Sequence, residues 1–144
     1  MLFRSKDNYW AEIVDIQRQV ANAWVLHAEG KYDEALKAMR AAADAEDRTD
    51  KHVVTPGPLA PARELYGFML LDRGLESEAL AELEGTIKKE PNRFNAFAGA
   101  AQASERLGDK AKAKDYYQKL AALANEADTV RPDLAAARKF LVEN

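Results

Sequence analysis

The chain has 144 residues, of which 47% are hydrophobic and 31% are charged, and its formal net charge is -3. This composition is typical of one folded domain with a sizeable core and excludes a disordered chain. A slightly acidic chain lacks the positive field that gathers phosphate backbones or anionic lipids, so nucleic acid is not expected as a partner. Because the sequence has no cysteine, disulfide bonds, thiolate metal ligands and cysteine nucleophiles are excluded.

The sequence also lacks a membrane-spanning pattern. No stretch approaches the roughly 18 apolar residues of a membrane helix, and the first eight residues contain no long apolar run. We therefore expect a soluble protein without membrane insertion, cytoplasmic by default. An amphipathic pattern begins at Tyr9 and Trp10, which is also compatible with a piece of a longer protein, and in that case export stays open.

Apolar residues at helical spacing predict seven helices and no strands, all within a single domain that covers residues 1–144. The predicted helices pair into antiparallel hairpins, and the insert between the first two hairpins is rich in proline. In chain order, we predict hairpin 1 at about 8–47 with helices 8–29 and 31–47, the insert at 48–59, hairpin 2 at 60–91 with helices 60–73 and 75–89, hairpin 3 at 92–125 with helices 93–107 and 109–124, and a capping helix within 131–142.

The hairpins repeat a pattern of glycine followed five residues later by alanine. Gly74 and Gly108 are 34 residues apart, and Ala79 and Ala113 have the same separation. Gly30 precedes Gly74 by 44 residues, which is the same period with ten residues inserted. Each glycine can end a helix in the left-handed conformation, and each alanine lets the next helix approach closely.

Other residues predict where helices begin and end. Pro91 stops the second helix of hairpin 2, and Asn92 is expected to cap the helix that follows. Pro132 fits the first turn of the last helix. That helix carries an apolar stripe suited to covering the end of hairpin 3, made of Leu134, Ala137, Phe140 and Leu141.

These residues resemble the tetratricopeptide repeat family. The residues that carry the resemblance are Tyr66, Gly67, Gly74, Ala79 and Pro91 in one copy, Phe97, Ala101, Gly108, Ala113 and Tyr117 in the next, and Gly30 to Leu36 in the first. Gln19 and Asp47 in the first copy depart from the pattern, since a large apolar residue and a proline are usual there. The resemblance implies an all-α, right-handed superhelix of antiparallel helix pairs.

In that family the first helix of each pair lines a concave binding groove. The resemblance places twelve residues there: Gln17, Val20, Trp24, His27, Pro61, Glu64, Phe68, Leu71, Asn95, Ala98, Gln102 and Glu105. Val20, Trp24, Phe68 and Leu71 are apolar or aromatic, as in many protein-binding hot spots. The alternative is that the N-terminal turns or the insert fold across the groove and make Trp24 and Phe68 ordinary core.

The residues disfavour the family's two-carboxylate clamp, which needs Lys, Asn and Arg to hold acidic chain ends. The clamp positions hold Val20, Trp24, Leu65, Asn95 and Gly99. An apolar helix or an extended peptide is therefore the expected partner, its identity being unknown. Self-association, or packing against further repeats, is a further expectation.

The insert offers three residues for a partner contact, His52, Thr55 and Pro58. Proline stiffens this segment, which suits either packing against the protein or presenting side chains. A single histidine near Asp47 and Asp50 is a weak metal motif, and we expect a solvated histidine there.

Catalytic motifs are absent: the chain has two histidines and no cysteine, no nucleophile elbow and no phosphate-binding loop. We expect no catalytic residue, metal or cofactor, and hence not an enzyme. The leading hypothesis is a scaffold that binds a peptide or helix of a partner in its groove. The alternatives are a terminal segment of a longer helical array with an internally filled groove and, remotely, a metal or enzyme site at His52.

Overall fold

The computed structural model describes residues 3–49, 58–128 and 131–144, with side chains from residue 9 onward. Those residues form seven α-helices and no strand, as predicted. The helices are α1 (Phe3–Ala28), α2 (Tyr32–Arg48), α3 (Ala62–Asp72), α4 (Glu76–Lys89), α5 (Phe94–Arg106), α6 (Lys110–Leu123) and α7 (Pro132–Glu143). Helix α1 begins five residues earlier than predicted, because the helical backbone continues through the polar residues before Tyr9.

The chain divides into two compact units, 1–66 and 67–144. The prediction of a single domain, with its hairpin boundaries, therefore stays a prediction. In the first unit α1 packs against α2. Its core is formed by Ile16, Val20 and Ala23 of α1 and by Ala35, Met39, Ala42 and Ala43 of α2, all buried.

The second unit is built on α5, which packs against both α4 and α6, and α6 packs against α7. The core joins α5 to α6 and α7 through Phe97, Ala98, Ala101, Ala113, Tyr117, Leu120, Ala137 and Phe140. Small residues on α5 allow this close packing on several sides at once. At Gly99 an added Cβ would lie 2.9 Å from Cδ1 of Leu83 and 3.1 Å from Cε1 of Phe68, so a larger residue there would require the Leu83 side chain and the Phe68 ring to shift.

The repeated glycines end the first helix of each hairpin in the predicted way. Gly74 and Gly108 have φ angles of 69° and 79°. The amide of Gly74 donates to the carbonyl of Leu71, and the next amide, of Leu75, donates to Leu70. These two hydrogen bonds satisfy carbonyl groups that would otherwise lack a donor at the end of the helix. The prediction of glycine-terminated helices is confirmed.

The prediction that Asn92 caps α5 is wrong. Arg93 occupies the N-cap position without a side-chain cap bond, and Asn92 takes the left-handed conformation at φ 65°. Asparagine is suited to both roles, since its short polar side chain favours helix caps and also tolerates positive φ. Here Asn92 adopts positive φ in the turn after Pro91.

Ionic contacts in the first unit fix the start of α3 against the end of α2. The backbone amide of Ala62 donates to Oε2 of Glu46 at 2.7 Å. The guanidinium of Arg63 donates to Asp44 at 2.7 Å and also to Asp47. Because these contacts join residues 44–47 to residues 62–63, they hold together the two ends of the predicted insert.

Candidate functional site

Helix α1 carries the part of the predicted groove that belongs to the first unit. Gln17 is exposed, Val20 is buried, and Trp24 is 36% exposed. His27 lies beside Trp24 with ring centroids 5.5 Å apart, at an interplanar angle of 71°. Two of the four predicted residues of α1 therefore meet in one aromatic contact.

Tyr32 extends this contact, although the repeat pattern did not place it in the groove. Its ring centroid lies 5.2 Å from that of His27, edge to face at 67°, and Tyr32 is 38% exposed. Trp24, His27 and Tyr32, here called the aromatic cluster, join the last turns of α1 to the first turn of α2. Tyr32 follows Gly30 by two residues, so the turn at Gly30 is the signal that could have placed it beside His27.

The remaining predicted residues of the first unit lie at or near the start of α3. Pro61 is buried, and Glu64 is only 1% exposed. Pro58 is half-buried, whereas His52 and Thr55 lie outside the described residues. Among the described residues, no group of three or more His, Cys, Asp and Glu could hold a metal ion.

In the second unit, Phe68 is half-buried against Gly99, and Leu71 is 4% exposed. The carbonyl of Leu71 accepts a hydrogen bond from Nη1 of Arg106 at 2.9 Å. Leu71 thus contributes its backbone to the end of α3, and its side chain is buried rather than presented to solvent.

The predicted polar residues of α5 all contact other side chains of the second unit. Asn95 accepts from Arg131 at 2.9 Å, and Gln102 donates to Asp133 at 3.3 Å. Ala98, between them, is buried. Two of the polar positions are therefore joined to the start of the capping helix α7.

Glu105 accepts a hydrogen bond from the hydroxyl of Tyr117 at 2.8 Å. Burial raises the pKa of Tyr117, and the bond to the Glu105 carboxylate raises it further, because ionisation would place two negative charges together. The phenol consequently stays protonated and holds Glu105 in place at neutral pH. In the sequence, Tyr117 is identified only as one of the residues that carry the family resemblance, which does not predict this bond.

The positions of the family's clamp lie on α1, α3 and α5. Val20, Trp24, Leu65, Asn95 and Gly99 supply no cationic side chain, and Gly99 instead makes room for the Phe68 ring. None of the helices in the described part of the chain is long and apolar enough to span a membrane.

Helical hairpins whose first helices end at repeated left-handed glycines define a tetratricopeptide-like, all-α repeat fold. Solved structures show the same fold: PcrH from Pseudomonas aeruginosa is 21% identical with a TM-score of 0.70, and the similarity covers 90% of each chain. PcrH in complex with the chaperone-binding region of PopB is 21% identical with a TM-score of 0.69, over 88% of this chain and 94% of that one. Neither a protein-family model nor a curated protein sequence matches the chain.

Proposed function

We propose that the chain is a soluble binding scaffold, not an enzyme, that holds an apolar helix or extended segment of a partner protein. The observation that carries this proposal is the likeness to PcrH over about nine-tenths of both chains, since PcrH was crystallised with the chaperone-binding region of PopB. The proposed contacts are the first-helix positions predicted by the repeat, with the aromatic cluster as the principal one.

The aromatic cluster supports this proposal by its chemistry. Trp24 and Tyr32 are each more than one-third exposed, while the half-buried His27 ring lies between them. Tryptophan and tyrosine lose little conformational entropy on binding and supply large apolar surfaces, which is why they dominate hot spots. An apolar partner side chain placed against these rings would shield both from water.

The polar positions of α5 support a different contact. Asn95, Gln102 and Glu105 already bond Arg131, Asp133 and Tyr117. A partner segment would meet oriented amide and carboxylate groups there, which favours backbone or polar side-chain contacts over apolar anchors.

An array of apolar and amphipathic 15-residue peptides, probed with the purified chain, tests the proposal. We expect a subset to bind with micromolar Kd. Trp24→Ala should weaken that binding at least tenfold, whereas Trp10→Ala, a matched change at a tryptophan that is 51% exposed and lies outside the predicted groove, should not. Failure of every peptide to bind, or equal affinity of Trp24→Ala and the unchanged chain, would overturn the proposal.

A second candidate is a structural segment whose groove positions are already covered within the protein. The burial of Val20, Glu64 and Leu71 favours it. In that case Trp24→Ala would lower the melting temperature by several degrees, and no peptide of the array would bind. A peptide that binds the natural chain but not the Trp24→Ala variant, when both have the same melting temperature, would exclude this candidate.

A further inference from the structure

Helix α1 presents a second apolar surface, on a face separate from its core. Trp10 is 51% exposed, Val14 66% and Val25 54%, and Ala21 is exposed as well. At 100° per residue these four side chains fall within about 60° of one another around the helix, whereas the buried Ile16, Val20 and Ala23 lie about 110–170° from the middle of that arc. We call Trp10, Val14, Ala21 and Val25 the α1 stripe.

The α1 stripe is symmetric about a single point. Trp10 and Val25 are equally far from the midpoint between Gln17 and Arg18, and so are Val14 and Ala21. When two identical helices run antiparallel about a twofold axis at that midpoint, Trp10 of each faces Val25 of the other, and Val14 faces Ala21. Each contact then joins a larger side chain to a smaller one, which suits interdigitation along a shallow crossing.

Charges near the midpoint fit the same arrangement. Arg18 donates to Asp15 within its own helix at 2.7 Å, and both side chains are about half exposed or more. An antiparallel copy brings its Asp15 within two residues of the level of Arg18, about 3 Å along the axis. Each guanidinium can then lie between two carboxylates, so the axis carries no unopposed charge.

We propose that the α1 stripe is a self-association surface on which a second copy of this chain docks its own α1 in antiparallel orientation. The stripe extends over about 22 Å of a single helix. Its area is smaller than the roughly 800 Å² per partner of a standard interface. The dimer is therefore weak, with a Kd in the micromolar range. This proposal does not use the aromatic cluster, although Gln17, which lies beside the axis, is also one of the predicted groove positions.

Sedimentation equilibrium of the full chain from about 5 to 500 µM tests the association. The mass should rise from the monomer value of 16.0 kDa towards twice that value. Val14→Glu and Val25→Glu should each weaken the dimer at least tenfold. Val142→Glu is the matched control, because Val142 is 87% exposed on α7, and it should leave the dimer unchanged. Circular dichroism should show equal helicity in all three variants.

Cysteine pairing tests the orientation, since the natural chain has no cysteine. Gln17→Cys should form a disulfide with itself, because both copies place position 17 beside the axis. Val14→Cys should pair with Ala21→Cys in a mixture but not with itself, because two copies of position 14 are about 10 Å apart along the axis. A monomer at every concentration, a dimer unaffected by Val14→Glu and Val25→Glu, or preferred self-pairing of Val14→Cys would each overturn the proposal.

Discussion

A Cβ atom on Gly67 would lie 2.6 Å from Cγ of Leu83, so α3 and α4 meet where only a glycine fits. Leu83 is fully buried, and its Cγ cannot move away without displacing the rest of the side chain. We expect Gly67→Ala to lower the free energy of unfolding by about 1–3 kcal/mol, measured by urea denaturation.

Two controls separate this contact from a general effect of alanine in a helix. Gly85 is exposed within α4, so Gly85→Ala should raise the stability by up to about 1 kcal/mol through helix propensity. In a Leu83→Ala background, Gly67→Ala should cost much less than in the natural chain, because the obstructing atom is gone. Equal costs in both backgrounds would contradict the proposed contact.

Among the described residues, Asn92 is the non-glycine residue with positive φ. Its replacement should therefore change the free energy of unfolding. Asn92→Ala is expected to destabilise the chain by about 1 kcal/mol, because a Cβ without a compensating polar group is disfavoured there. Asn92→Gly should leave the stability within about 0.5 kcal/mol of the natural chain. A loss of stability in Asn92→Gly as large as that in Asn92→Ala would contradict this explanation.

The stability of the second unit should depend on alkaline pH through its buried phenols. Burial raises the pKa of Tyr117, and so does its bond to Glu105; burial likewise raises the pKa of Tyr116, together with a bond to Glu84. Above pH of about 10 the unfolded chain loses these protons first, so the folded state binds more protons and the free energy of unfolding falls as pH rises.

Below pH of about 10 the same two tyrosines remain protonated in both states, and their contribution is constant. Urea unfolding at pH values from 8 to 11 should show this onset. Tyr116→Phe combined with Tyr117→Phe should make the profile flatter above pH 10 while lowering the stability at pH 8, since two hydrogen bonds are lost at about 1 kcal/mol each. An unchanged alkaline slope in the double variant would refute this explanation.

Glu46 should stabilise the start of α3, because its carboxylate accepts from the amide of Ala62. Glu46→Ala removes that acceptor and is expected to lower the free energy of unfolding by about 1 kcal/mol, the usual effect of losing a helix cap. Glu46→Gln keeps a carbonyl oxygen at the same place and should retain most of the stability. Thermal melts at neutral pH compare the two, and equal losses would point to charge rather than capping.

The sequence was sufficient to predict the helices because their signals are local. Gly74 and Gly108 end helices through their own backbone freedom, and the spacing of apolar residues shows which face of each helix is buried. The exception, Asn92, has two favourable conformational roles, and residue type alone does not choose between them.

The candidate site was harder to predict, because a position in the repeat indicates which way a side chain points but not how much of it is exposed to solvent. Trp24 and Leu71 were both predicted to line the groove, yet Trp24 is 36% exposed and Leu71 only 4%. Tyr32 joins His27 only after the Gly30 turn brings α2 beside α1. The partners of Asn95 and Gln102 come from residues 31 to 36 positions further on, a separation that helical periodicity does not address.

The bond from Arg106 to the Leu71 carbonyl has a consequence for biosynthesis. A ribosome adds Arg106 35 residues after Leu71, roughly 2–7 s later at ordinary elongation rates. Until then the Leu71 carbonyl has only its bond from the Gly74 amide, so the last turn of α3 should become fully protected from proteases only when the third hairpin has emerged.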